Sequence, residues 1–233
     1  METTNFKAAE RAQLSFLARV EKHTLIWMAQ RMPAWINSDH LTLLGFAAMF
    51  CAGLSYWHAR SHPRGLLLAI FFLALNWFGD SLDGTLARVR NRQRPRYGFY
   101  VDHIVDAFNS LFLLGGLALS GYVNILVAAG LLIAYSLLSI EVYLATYTIG
   151  TFHLSFWGFG PTELRVLLAI ANLVIYFRHS AFVVIFGHSW RLFDVGGMIG
   201  MAGMMVMLIL ATLRHTAALY RAEPLPSNPG ADY

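Results

Sequence analysis

Gly79-Asp80-Ser81-Leu82-Asp83-Gly84-Thr85-Leu86-Ala87-Arg88, followed after a basic stretch by Gly98-Phe99-Tyr100-Val101-Asp102-His103-Ile104-Val105-Asp106, sets four carboxylates within or at the ends of two apolar runs. A charge at membrane depth costs roughly 2.5 kcal/mol or more unless it is solvated or paired, so four of them need a common reason. Helical spacing supplies one. Asp80 and Asp83 stand at i and i+3, Asp102 and Asp106 at i and i+4, so each pair projects from one face of its helix. A short connection makes the two helices antiparallel neighbours, and the pairs converge. Converging carboxylates repel one another without cations between them. Oxygen-only ligation of this kind suits Mg²⁺, Mn²⁺ or Ca²⁺ and not zinc, which prefers imidazole and thiolate.

The small residues point the same way. Gly84 and Ala87 share a face with Asp80 and Asp83, and Gly98 precedes Asp102 by one turn, which leaves an open floor where a ligand approaches the backbone. Close helix packing through small residues is the alternative use of such positions in membranes. A pair of divalent cations beside arginines is equipped to bind a pyrophosphate and to stabilise charge on a transferred phosphoryl group.

The chain around this stretch has 233 residues, 57% hydrophobic and only 13% charged, with a mean hydropathy of +0.53, which excludes an ordinary soluble surface. Runs near the ~20 residues that cross ~30 Å of hydrocarbon occur at about 41–60, 65–87, 98–121, 123–148, 162–187 and 194–213. The expectation is an all-α integral membrane protein with six transmembrane helices and an N-terminal interfacial amphipathic helix. In the arm, Phe16, Leu17, Val20, Leu25, Ile26 and Trp27 interleave with Arg19, Lys22 and Arg31. Residues 1–36 form this cytoplasmic or interfacial arm, 37–215 the six-helix membrane domain, and 216–233 a cytoplasmic polar tail.

Six spans put Lys7, Arg11, Arg19, Lys22 and Arg31, the loop arginines 88, 90, 92, 94 and 96, and Arg214 and Arg221 on one side, against Arg60, Arg64, Arg178 and Arg191 on the other. The excess of cations places both termini and the acidic cluster at the cytoplasmic face. The net charge of +4 follows largely from this asymmetry and favours anionic headgroups, not nucleic acid. Cys51 is the single cysteine, so an internal disulfide and a cysteine metal site are both excluded. Residues 1–24 lack the pattern of a secretory signal peptide.

At Asp80, Asp83, Gly84, Ala87, Arg88, Gly98, Asp102 and Asp106 the sequence resembles the CDP-alcohol phosphotransferase family, whose motif reads D-x-x-D-G-x-x-A-R, a spacer, then G-x-x-x-D-x-x-x-D. The spacer from Val89 to Tyr97 is one residue longer than is usual in the family. The resemblance implies a six-helix core, often a homodimer, that moves a substituted phosphate from a CDP-alcohol to an acceptor hydroxyl with release of CMP, in phospholipid biosynthesis. It implies two divalent cations, Mg²⁺ or Mn²⁺, held mainly by Asp80, Asp83 and Asp102 and partly by Asp106. Asp106 is then the expected general base. Gly84 and Arg88 would touch the CDP moiety, with Ala87 and Gly98 beside it. Asn37-Ser38-Asp39-His40-Leu41-Thr42 is similar to the family's nucleotide-binding P-[ND]-x-x-T, with serine in place of proline.

Asp102-His103 with Asn109 further on is similar to the D-H-x-x-D-x-x-N of the choline/ethanolamine branch, in which the histidine is a proposed base. Glu141, Tyr147-Thr148, His153-Leu154 and Gly160-Pro161-Thr162-Glu163 resemble a later segment of that branch. The donor, CDP-diacylglycerol or a CDP-amino alcohol, therefore stays open, as does the base, Asp106 or His103. A histidine with an ordinary pKa near ~6.5 is a credible base at neutral pH. Glu141, Glu163 and Arg165 are the remaining charges at membrane depth and are expected to line the acceptor pocket, a structural ion pair being the alternative. The methionines between Met198 and Met207 read as filler. From another class, a divalent-cation transporter or channel would also carry intramembrane aspartates.

Overall fold

A computed structural model describes residues 18–150, 160–178, 182–185 and 187–223. The elements are α1 (Ala18–Arg31), α2 (Ser38–Ala59), α3 (Gly65–Val89), α4 (Pro95–Ser120), α5 (Ile125–Ile149), α6 (Pro161–Arg178), β1 (Phe182–Ile185), β2 (His188–Arg191) and α7 (Leu192–Ala222). Local chemistry sets their ends. Asn37 caps α2 through a reciprocal pair with His40, the His40 N–H donating to Asn37 Oδ1 at 3.0 Å and the Asn37 N–H to His40 Nδ1 at 3.3 Å. Pro95 opens α4, where its missing N–H costs nothing. Gly121 (φ 79°) and Gly150 (φ 75°) end α4 and α5 in the left-handed conformation that glycine adopts freely.

Among the described residues five helices, α2, α3, α4, α5 and α7, are long and apolar enough to cross a membrane, and the chain is an integral membrane protein. Their outward faces carry large apolar side chains such as Phe71, Leu126 and Leu213, which lipid, not water, would solvate. The fifth expected span departs from expectation. It was read as 162–187, but α6 stops at Arg178, and residues 182–185 are a strand paired antiparallel with His188–Arg191, Ile185 opposite His188. The helix that remains carries Glu163, Arg165 and Arg178, too many charges for its length to rank with the other five. At the other end α7 runs on past residue 215 to Ala222.

The core is organised around α2. Its glycines let neighbouring backbones approach to contact distance. A Cβ on Gly79 of α3 would meet the Gly45 nitrogen and the Leu41 carbonyl at 2.6 Å, and one on Gly116 of α4 would meet the Gly53 backbone. Small residues serve as the packing surface here, as is usual between helices in lipid. Above the crossing, α1 packs on α3 with Leu25 and Ala29 buried among Leu41, Leu82 and Leu86. Below it, Met49, Ala52 and Leu73, then Tyr56, Leu66, Ala69 and Leu117, form a buried apolar column.

Candidate active site

The close α2–α3 crossing has a direct consequence one residue later, at Asp80. Thr42 of α2 donates its hydroxyl to Asp83 Oδ2 at 2.7 Å, and Ser38 donates to the Asp83 carbonyl at 3.0 Å, so the N-terminus of α2 is fastened to the first half of the acidic motif. The other Asp83 oxygen accepts the Gly84 N–H at 2.5 Å. One turn before Asp80, Asn76 is fully buried and donates to the Gly45 carbonyl at 2.9 Å.

Asp80, Asp83 and Asp102 line one cavity of about 10 Å³, room for one water-sized particle, together with Thr42, Asn76 and Asn109. All of these offer oxygen. Asn109 is 6% exposed, and its Oδ1 finds no hydrogen-bond partner among the described residues. A buried acceptor left unpaired is costly, on the order of 1–3 kcal/mol, and an oxygen of that kind on a wall shared with three carboxylates suits a hard cation. Among the described residues no three His, Cys, Asp or Glu side chains are close enough together to hold a metal ion. Asp83 is held by Thr42 and Gly84, and Asp80 by a cation from the protein itself. The donor set thus fits Mg²⁺ or Mn²⁺ in kind, with its carboxylates engaged by protein partners.

That cation is Arg165 of α6. Its Nη2 donates to Asp80 Oδ2 at 2.7 Å and its Nε to Asn76 Oδ1 at 3.0 Å. The three charges expected to line an acceptor pocket have different hydrogen-bond partners. Glu141 of α5 accepts from His215 Nδ1 of α7 at 2.5 Å, and Glu163 accepts the Gly160 N–H at 2.9 Å at the start of α6. His153 and Leu154 lie outside the described residues.

Asp106 is not among the residues lining the cavity; it lies near Tyr135 and Tyr143 of α5. His103 packs against Phe99 and Tyr143, with ring centroids 4.0 and 4.7 Å away, and its Nδ1 donates to the Phe99 carbonyl at 2.5 Å. A neutral ring held in this way keeps its lone pair on Nε2.

The glycines and the basic loop separate by role. Gly79 packs on backbone, whereas a Cβ on Gly84 would meet only the Arg88 guanidinium, at 3.5 Å, and one on Gly98 would meet nothing within 4 Å. Close helix packing therefore accounts for Gly79 and not for Gly84 or Gly98. Ala87 is partly buried beside the exposed Arg88, whose Nη2 donates to Thr85 Oγ1 at 3.0 Å. Arg90 donates to the carbonyls of Met32, Pro33 and Ile36, and Arg94 pairs with Asp39. Of the segment expected to face a nucleotide, Asn37 and His40 cap a helix, and Asp39 holds the loop.

The sequence model of the CDP-alcohol phosphatidyltransferase family matches residues 35–220, from the turn before α2 almost to the end of α7. The chain belongs to that family. A curated relative, the archaetidylinositol phosphate synthase of Pyrococcus horikoshii, is 29% identical over 89 residues, which is 38% of this chain and 44% of that protein. The match thus spans less than half of the relative's length. As a family member, this chain departs from what spacing alone conveyed at three residues. Asn76 was missed, although a polar residue one turn before Asp80 in an apolar run was a visible signal. Glu21 of α1 and Thr162 of α6 were missed too. Glu21 Oε1 accepts from Trp77 Nε1 (2.7 Å), Thr162 Oγ1 (2.9 Å) and Ser81 Oγ (3.3 Å), and so clamps α1, α3 and α6 beside the site.

Proposed function

We propose that this protein is a divalent-cation-dependent transferase that moves a substituted phosphate from a CDP-alcohol to an acceptor hydroxyl and releases CMP, in phospholipid biosynthesis. The observation that carries the reading is the single cavity shared by Asp80, Asp83 and Asp102, beside glycines at 84 and 98 whose exposed faces no neighbouring helix uses. Asp80, Asp83 and Asp102 would hold Mg²⁺ or Mn²⁺, with Asp106 at the margin. Bound there, the cations would neutralise a pyrophosphate and the charge that grows on departing CMP. Gly84, Ala87 and Gly98 provide the floor for the nucleotide, and Arg88 a cation at its edge.

The acceptor oxygen attacks the β-phosphorus, the bond from that phosphorus to the CMP oxygen breaks, and the hydroxyl proton passes to the protein. His103 Nε2 and Asp106 are the two candidate acceptors of that proton. The anchored Nδ1 of His103 supports the histidine, because a fixed tautomer presents one basic nitrogen in one direction. The Pyrococcus relative is named for a product with an inositol phosphate headgroup and not an amino alcohol, which favours CDP-diacylglycerol or a similar lipid-linked donor over a CDP-amino alcohol. In this reading α6 is the fifth of six crossings, α1 lies at the interface, and both termini and the site are cytoplasmic.

The test uses the purified protein with Mg²⁺ or Mn²⁺ and a panel of CDP-diacylglycerol, CDP-choline and CDP-ethanolamine with assorted acceptor alcohols. CMP release is followed, and products are identified by mass spectrometry. Release that chelation abolishes is the expected result, and no release from any donor would overturn the reading.

A further inference from the structure

Arg165 stands where a metal-binding family would least expect a fixed cation. Its side chain is 14% exposed, its Nη2 is 2.7 Å from Asp80 Oδ2, and its Nε is 3.0 Å from Asn76 Oδ1. Asp80 and Asn76 are one turn apart on α3 and both line the cavity with Asp83, Asp102 and Asn109. The guanidinium therefore uses two oxygens of the cavity wall at once, a bidentate grip that a point charge such as lysine cannot reproduce. Helices otherwise bounded by lipid would not carry Asp80 (α3) and Arg165 (α6) at low cost unless each neutralised the other. At the same time, the grip gives the Asp80 carboxylate a fixed partner within the protein.

We propose that Arg165 is the resident counter-cation of the metal site: it holds Asp80 and Asn76 in the metal-free protein, and a divalent cation must take Asp80 from it to bind. The proposal rests on the metal-dependent reading above and adds to it a competition between α6 and the metal. Metal affinity is then set partly by the strength of the Arg165 pair. The start of α6 is independently tethered by Thr162 to Glu21, so release of Arg165 loosens the side-chain latch without freeing the helix.

The experiment measures Mn²⁺ binding to the full chain in detergent, without substrate, from the electron paramagnetic resonance signal of free Mn²⁺. Arg165→Gln removes both the grip and a repelling charge, and is expected to tighten Mn²⁺ binding by roughly tenfold or more, the factor equivalent to one charge-assisted hydrogen bond of modest strength. Arg165→Lys keeps the charge but loses the fork and should fall between. Unchanged or weaker binding in Arg165→Gln, while the unaltered protein binds Mn²⁺, overturns the competition and makes Arg165 a simple support for Asp80. Absence of Mn²⁺ binding in the unaltered protein and both variants defeats the metal reading itself, and the competition with it. Should the variants fail to fold, modification of Arg165 by an arginine-specific dicarbonyl, read by mass spectrometry in the unaltered protein, decides. Faster labelling with Mn²⁺ supports release, and labelling that Mn²⁺ leaves unchanged or slows refutes it.

Discussion

Alanine substitution of Gly79, Gly84 and Gly98 separates the glycines that build the fold from those left for a ligand. At Gly79 the new Cβ meets the Gly45 nitrogen and Leu41 carbonyl at 2.6 Å and the Gly45 Cα at 2.8 Å, all of them backbone. To restore ordinary contact, α2 and α3 must part by about 0.8 Å, a small-to-large insertion of the kind that costs about 1–3 kcal/mol. The same separation stretches the Asn76 to Gly45 and Thr42 to Asp83 hydrogen bonds, now 2.9 and 2.7 Å. Relief of glycine's excess chain entropy offsets about 0.5–1 kcal/mol. The net cost is about 2.5 kcal/mol at most, so at roughly 2–4 °C per kcal/mol for a chain of this size Gly79→Ala should melt lower by up to roughly 10 °C. Gly84→Ala meets only the end of a flexible arginine and Gly98→Ala meets nothing, so both should melt at or slightly above the parent temperature while CMP release falls by at least about tenfold, or 1.4 kcal/mol. Unfolding is read from the reaction of a thiol-sensitive dye with Cys51, the single cysteine, and turnover from CMP. The reasoning is refuted if Gly84→Ala loses as much stability as Gly79→Ala, or if both Gly84→Ala and Gly98→Ala keep full turnover.

Two further outcomes follow from polar clusters. Glu21→Ala strands the Trp77, Ser81 and Thr162 donors and should cost about 1–3 kcal/mol, visible as an earlier melt in the same assay, whereas Glu21→Gln keeps an acceptor and should lose less. His103→Gln should lower kcat by about 10²-fold or more, the usual contribution of a positioned base, with little change in the KM for the CDP donor; an unchanged kcat would assign the proton to Asp106.

What could be read before the fold was known is explained by cost. Four aspartates in apolar runs are too expensive to be incidental, so their spacing alone directed attention to α3 and α4, where three of them share a cavity. Periodicity gives the face of a helix but not its neighbour. Nothing in spacing reveals that Arg165 reaches Asp80 across 85 positions, or that Glu141 finds His215 and not Arg165. The end of α6 was hidden for a different reason. Phe182-Val183-Val184-Ile185 is an apolar, β-branched run that reads equally well as the end of a span or as a strand, and Gly187, at φ 79°, turns it into a hairpin. The packing glycines resisted reading as well, because Gly79 and Gly84 are indistinguishable in sequence. Only the position of α2 shows that one is occupied by a backbone and the other is not.

The same packing bears on whether the aspartates conduct a cation or retain one. A conducting path would have to continue from the cavity toward the far ends of α2, α3 and α4. Directly beneath lie Met49, Ala52 and Leu73, at most 5% exposed, then Tyr56, Leu66 and Ala69 with no exposed surface. The backbones of Gly53 and Gly116 meet across α2 and α4, and Gly65 meets Ala59 across α2 and α3, which leaves no lumen between these helices. No carboxylate occurs between Leu41 and Leu75 to replace the hydration shell of an ion moving that way. Of the buried hydroxyls on this route, that of Ser55 is turned onto the Cys51 carbonyl and that of Tyr56 accepts from Asn172. A divalent ion forced through such a column would shed its water with nothing in exchange. The packing closes that side, whereas Gly84 and Arg88 follow Asp83 along α3, and Gly98 precedes Asp102 on α4, away from this column. That arrangement matches a site that holds cations in place while a phosphorylated ligand comes and goes past the glycine floor, and it argues for group transfer over transport.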